Sequence, residues 1–180
     1  MLYEGVNIVN EENKFIKENG IFYTDTKLAD KLVKLLKINY TEEFSLIEPA
    51  VGEGHILSLV IKNFFQKNKD KSEDEKIEFL EKNIAAFDIR KDAIKKCIEK
   101  LDELSKKYIS KKINWNIRQL DALDIIKMKE NFSTYDYVIS NPPYVSRHNM
   151  DEKMIKILKN KSDFCHKYNS VSIFKRSNRK

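Results

Sequence analysis

Cysteine and histidine are scarce in this 180-residue chain, and long apolar runs are absent. The two cysteines, Cys97 and Cys165, stand far apart without metal-ligand spacing, and no charged start followed by an apolar run marks a secretory signal. A reducing cytoplasm is therefore the expected location. No stretch approaches the roughly 20 apolar residues that a membrane-spanning helix needs, and no fixed period marks a repeat protein. His148 and His166 have no partners at ligand spacing, so no metal is expected. His55 is readable as a ligand contact, but is expected to face solvent at the first turn of a helix.

What remains is ordinary for one soluble domain with a single core: 41% hydrophobic residues in a length that suffices to bury them. Lysine and arginine number 34 against 28 acidic residues, a formal charge of +6. That balance suits a polyanionic partner, although lysine-rich proteomes produce it too.

Helical and strand-like segments alternate, the signature of a parallel sheet with crossover helices. Leu28, Leu32, Leu35 and Leu36, behind the capping oxygens of Thr24, Asp25 and Thr26, predict a helix over about 26–38. A strand at 45–48 leads through Pro49 and a glycine-bearing turn into a helix carrying Ile56, Leu57, Val60, Ile61, Phe64 and Phe65 at helical period. The charged stretch Gln66 to Lys76 reads as a solvated loop or helix end.

A second strand is expected over 83–88. An amphipathic helix follows, with Ile94, Cys97, Ile98, Leu101, Leu104 and Tyr108 on its apolar face. Cys97 is thus a core residue rather than a nucleophile. Strands at 114–119 and 135–140 complete the series, and a further helix is expected over about 151–161. Open parallel sheets bind ligands beyond the carboxyl ends of their strands. Glu48, Asp88, Asp121 and Asn141 would gather there, with the fourth strand beside the first.

The sharpest motif is Ser140-Asn141-Pro142-Pro143-Tyr144, directly after the apolar strand Tyr137-Val138-Ile139. Two consecutive prolines fix two φ angles and remove two N–H donors, which leaves stiff carbonyl acceptors. The Asn141 oxygen and the Pro142 carbonyl can each take one N–H of an exocyclic amine, while Tyr144 offers a flat face for a base. Read structurally, the same residues are a Pro-Pro turn with a surface tyrosine.

This loop resembles the Asn-Pro-Pro-Tyr loop of amino-group methyltransferases. Ile47-Glu48-Pro49-Ala50-Val51-Gly52-Glu53-Gly54-His55 is similar to the same family's cofactor loop, and Gly20-Ile21-Phe22-Tyr23-Thr24 to its N-terminal cofactor segment. The motif order is that of the gamma group of DNA adenine-N6 methyltransferases, common in restriction-modification systems. The resemblance implies a Rossmann-like α/β fold and S-adenosylmethionine as cofactor. Double-stranded DNA would be the partner and a flipped adenine the substrate.

By the same resemblance, Glu48 would hold the methionine amino group, with Pro49, Ala50, Gly52 and Gly54 forming the close-fitting loop and Tyr23 and Thr24 near the methionine end. Asp88 would take the ribose hydroxyls, Ile89 would cover the adenine face, and Asp121 with Ala122 would meet the adenine amino group. Asn141, Pro142, Pro143 and Tyr144 would be catalytic. Either aspartate is also readable as a surface residue or a helix cap, Asp121 in particular as the cap of a short helix at Ala122-Leu123-Asp124.

Residues 168–174 are similar to the start of the family's next helix, after which the resemblance departs. The family's remaining strands and target-recognition domain have no counterpart in the six residues after Phe174. The expectation is the N-terminal part of a catalytic domain, incomplete at its C-terminus, with a second chain as a candidate source of the remainder. Truncation would leave the fourth strand as an open edge and the isolated chain inactive on DNA. The alternatives are a glutamine-directed protein methyltransferase, an RNA amino methyltransferase, and a non-catalytic remnant or subunit of a split enzyme. The loop Glu48-Pro49-Ala50 and the short N-terminal arm argue against the first.

Overall fold

The computed structural model describes residues 26–120, 135–141 and 172–175, all within a unit formed by Thr24–Asn141 and Ser172–Lys180. In chain order its elements are α1 (Thr26–Leu36), β1 (Leu46–Glu48), α2 (His55–Lys67), α3 (Glu73–Asn83), β2 (Ile84–Asp88), α4 (Lys91–Ser105), β3 (Asn116–Gln119), β4 (Tyr137–Ser140) and β5 (Ser172–Lys175). They form an α/β unit with a five-stranded sheet in the order β3-β2-β1-β4-β5.

β1 to β4 are parallel, with the fourth strand beside the first as anticipated. A parallel pair needs a crossover, and the helices supply it. α2 packs on α1 and α4, α3 on β2, and α4 on β2 and β3. All six apolar residues read at helical period on α2 are buried, because the stripe they form is covered by neighbours that include α1 and α4. The opposite sheet face carries Ile47, Ala85 and Phe87, packed by Leu120, Tyr135 and Val138. The Arg118 guanidinium lies 5.0 Å from the centre of the Phe87 ring.

Four expectations change. Of Gln66 to Lys76, read as a solvated loop or helix end, the end of α2 at Lys67 agrees, but a new helix, α3, begins at Glu73. Its start is fixed by a capping box: Glu75 N–H donates to Ser72 Oγ at 3.2 Å and Ser72 N–H to Glu75 Oε2 at 2.8 Å. The helix is charged overall, yet Leu80 is buried and Phe79 stacks on Phe64 with ring centres 4.5 Å apart.

On α1 the buried stripe is Ala29, Leu32, Val33 and Leu36, while Leu28 and Leu35 are exposed. The helix is turned so that Ala29 and Val33 join Leu32 and Leu36 on the covered face. The segment expected to open a helix near 168–174 instead provides β5, antiparallel to β4, with Tyr137 paired to Lys175 and Ser140 to Ser172. In consequence β4 is an inner strand, not an open edge. A strand edge left beside β4 offers unpaired N–H and C=O groups, and any extended segment that satisfies them wins over a marginal helix. The helix expected at 151–161 lies outside the described residues. No helix among those described is long and apolar enough to cross a membrane.

Candidate cofactor site at the strand ends

Strand register sets the rim of the sheet. Glu48 pairs with Ala86, Ile47 with Val138, and Asp88 with Gln119. Continuing these ladders puts Ala50, Asp88, Gln119 and Asn141 at one level at the carboxyl ends of the parallel strands. Glu48 sits one step below.

The connection from β1 to α2 is built around two left-handed glycines, Gly52 at φ 53° and Gly54 at φ 77°. Val51 N–H donates to Phe87 O at 2.8 Å, and Gly54 N–H to Val51 O at 2.9 Å. Glycine is required at 54 on two grounds. Positive φ disfavours any side chain, and a Cβ there would come within 2.6 Å of Cys97 Sγ. Cys97 itself is fully buried, and burial pushes its thiol up to about 12. It is core, as its place on the apolar face of α4 predicts.

Asp88 ties the turn together. Its Oδ2 accepts from Gly52 N–H at 2.8 Å, across 36 positions of sequence, and its Oδ1 from Arg90 N–H at 2.8 Å. Arg90 Nε lies 3.5 Å from the same Oδ1. Asp88 is 8% exposed, which rules out the surface-residue reading. Two backbone donors leave a carboxylate with lone pairs to spare. Ile89, next in the chain, presents 61% of its surface to solvent, and its carbonyl accepts from Gln119 Nε2 at 2.9 Å.

Glu48 is the unusual residue of the site. It is 1% exposed, it accepts from the Leu57 N–H, and its Oε2 is a buried oxygen with no hydrogen-bond partner among the described residues. Burial raises its carboxyl well above the usual range, and the Asp88 charge adds to this against the Leu57 hydrogen bond. A buried acceptor without a donor costs free energy. Such an oxygen is suited to a cationic donor brought by a ligand.

His55 departs from the expected solvent-facing histidine: it is half-buried, with Nε2 3.3 Å from Lys100 Nζ. Helix α4 packs against this part of the chain, so a first-turn side chain of α2 is covered from that side. Arg90, Lys96, Cys97, Lys100 and Gln119 complete the surroundings, and none was singled out for them from sequence. The repeat at 96, 97 and 100 shares one helix face, but nothing local says what that face meets. Tyr23, Thr24, Asp121, Ala122, Pro142, Pro143 and Tyr144 lie outside the described residues. Pro49 and Ala50 are partly buried in the turn, and Asn141 is partly buried at the end of β4.

The four parallel strands thus carry a glycine turn after β1 and a carboxylate closing each of β1 and β2. The family model described as RMKL-like, methyltransferase domain, matches residues 44–174. The chain belongs to this methyltransferase domain family. Among curated proteins, the Type II methyltransferase M.BstVI of Geobacillus stearothermophilus is 26% identical over 151 residues. That alignment covers 77% of this chain and 27% of the relative, so the chain spans about a quarter of that protein's length. Among solved structures, the electron cryomicroscopy structure of a DrdV–DNA complex superposes with a TM-score of 0.59 at 14% identity. It covers 80% of this chain and 16% of DrdV; at that identity the likeness concerns the fold. The methyltransferase domain is thus a Rossmann-like α/β unit by both its sheet and its relatives, and the matched span begins just before β1 and ends within β5.

Proposed function

We propose that this methyltransferase domain is the cofactor-binding and catalytic part of a DNA adenine-N6 methyltransferase of restriction-modification type, with S-adenosylmethionine as cofactor. One observation carries the reading: the partnerless buried oxygen of Glu48 lies at the same strand ends as Asn141, which opens the Asn141-Pro142-Pro143-Tyr144 segment. The Type II relative supports DNA as the substrate, as does the DNA-bound state of the solved neighbour. The same comparisons support a longer assembly in which further polypeptide, in the same chain or a second one, recognises the target.

The residues fit the cofactor. Glu48 Oε2 is an acceptor for its ammonium group, Asp88 has lone pairs for two ribose hydroxyls, and Ile89 is an exposed apolar face for its adenine. S-adenosylmethionine supplies a methyl group on a sulfonium centre. Asn141 and the Pro142 carbonyl hold the amino group of an extruded adenine through its two N–H donors, and Tyr144 stacks on the base. The adenine amine is a weak nucleophile because its lone pair is conjugated into the ring. Two fixed acceptors favour its pyramidal form and stabilise the positive charge that grows on nitrogen. With S-adenosylmethionine bound there, its methyl group would be the one supplied, and Asn141 with the Pro142 carbonyl would hold the amine nitrogen toward it until the surplus proton leaves to water. Positioning and electrostatics do this work, without a covalent intermediate.

The test is transfer of a tritiated methyl group to adenine-containing duplex DNA, to ribosomal RNA and to a glutamine-containing peptide. Each is run with the chain alone and with a target-recognition polypeptide supplied in trans. Label recovered as N6-methyladenine in DNA, and lost in Asn141→Ala, is the expected result. Label in RNA or peptide in place of DNA would overturn the substrate assignment.

A further inference from the structure

Helix α4 meets the glycine turn with three side chains of one face. Lys96 Nζ lies 2.9 Å from Glu53 Oε1, Cys97 packs behind Gly54, and Lys100 Nζ lies 3.3 Å from His55 Nε2. Each of the consecutive residues 53, 54 and 55 is therefore met by its own residue of α4. From the other side Asp88 holds Gly52. Lysines four apart on a helix repel and destabilise it when isolated. Their placement is accounted for by what they meet. Lys96 keeps 54% of its side chain exposed while Glu53 keeps only 18%, so the acid is drawn down onto the helix.

We propose that Lys96 and Lys100 are positioning residues for the cofactor, holding Glu53 and His55 so that the turn from Gly52 to His55 keeps the backbone course that S-adenosylmethionine requires. The inference rests on the cofactor reading of this turn. A turn with two left-handed glycines has little rigidity of its own, and ordering it on binding would subtract from affinity. Partly exposed ion pairs add little to global stability. Their loss should appear in cofactor affinity more than in unfolding.

The contact between Lys100 and His55 adds a pH signature. An ammonium donates to Nε2 only when that nitrogen is unprotonated. Burial first, and then the Lys100 charge, lower the His55 titration below its usual value, while Glu53 opposes them. Among the described residues, the charged groups near it include Lys100 and Lys96 on α4 and Glu53 in the turn, with Glu48 and Asp88 at the strand ends behind Cys97. Protonation sets two cations against each other and releases the grip, so affinity is held above the His55 titration and lost as pH falls through it.

The experiment measures S-adenosylhomocysteine binding to the full chain by calorimetry, alongside thermal unfolding, between about pH 5 and pH 8. Lys96→Met and Lys100→Met should each weaken binding about threefold with little change in melting temperature. Lys96→Arg should bind like the parent, and Lys100→Met should flatten the acid loss. Parent-like affinity in both methionine variants, or weakening that Lys96→Arg shares, overturns the proposal. If the parent itself fails to bind, the cofactor reading falls and the proposal with it; if the parent binds and the methionine variants match it, the proposal alone is overturned.

Discussion

On the proposed cofactor reading, Glu48 sets stability against binding at the scale of a single residue. Its carboxyl is raised by burial, so in sign terms it favours the fold fully below the unfolded carboxylate range. That contribution is lost as pH rises through its folded value. Glutamine keeps the acceptor for Leu57 N–H and carries no charge. Glu48→Gln should therefore raise the melting temperature at about pH 8 more than at about pH 5, while weakening S-adenosylhomocysteine binding at least about tenfold through the lost charged acceptor. Melting curves at the two pH values check the first half; an equal shift at both would mean that ionisation of Glu48 does not strain the fold. Gly54 makes a second case. Gly54→Ala forces a side chain into left-handed backbone and against Cys97 Sγ, and should destabilise by about 2–4 kcal/mol in urea unfolding. Adding Cys97→Ala should recover part of this, because the sulfur clash is relieved and the backbone strain is not.

Among the elements, α3 is the one whose charge hides its role. Glu73 accepts from Ser110 N–H and Oγ, Asp74 pairs with Lys111, and Glu81 accepts from Asn114 N–H. The helix thereby fastens the approach to β3 while its other side stacks Phe79 on Phe64 and sets it tilted against Phe44. Ser72→Ala removes the capping oxygen and should cost about 1 kcal/mol in denaturant unfolding, with the unfolding slope unchanged. A loss of only a few tenths would show that packing, not the cap, decides where α3 begins.

At the scale of the whole molecule, β5 decides whether the sheet has a protected flank. It pairs along all four residues of β4. A chain ending at Val171 would leave Tyr137 to Ser140 as an unpaired parallel-sheet edge, a template for intermolecular pairing. Such a variant should melt lower than the full chain and run as a dimer or larger species in light scattering. A monomer with unchanged melting would mean that β4 needs no cover from β5.

Local periodicity and composition made most elements legible. The apolar stripe of α2 and the four parallel strands lie within two residues of where alternation and helical spacing put them. The glycines at 52 and 54 and the positions of Glu48 and Asp88 at the ends of β1 and β2 were readable too, because a tight turn demands glycine and the apolar runs stop at those acids. α3 was missed although its Ser-x-x-Glu signature was present, since its charge outweighed the few apolar positions on which its packing depends. The exposure of Leu28 and Leu35 was not readable, because four leucines at helical spacing leave open which neighbour fills the groove. Only the assembled sheet determined that β4 lies inside it and β5 runs antiparallel, that Asp88 reaches Gly52, and that α4 grips residues 53–55. The physical reason is range: spacing along a chain reports periodicity, whereas the partner of a strand edge, a carboxylate or a lysine is whatever distant segment folding brings within hydrogen-bonding distance.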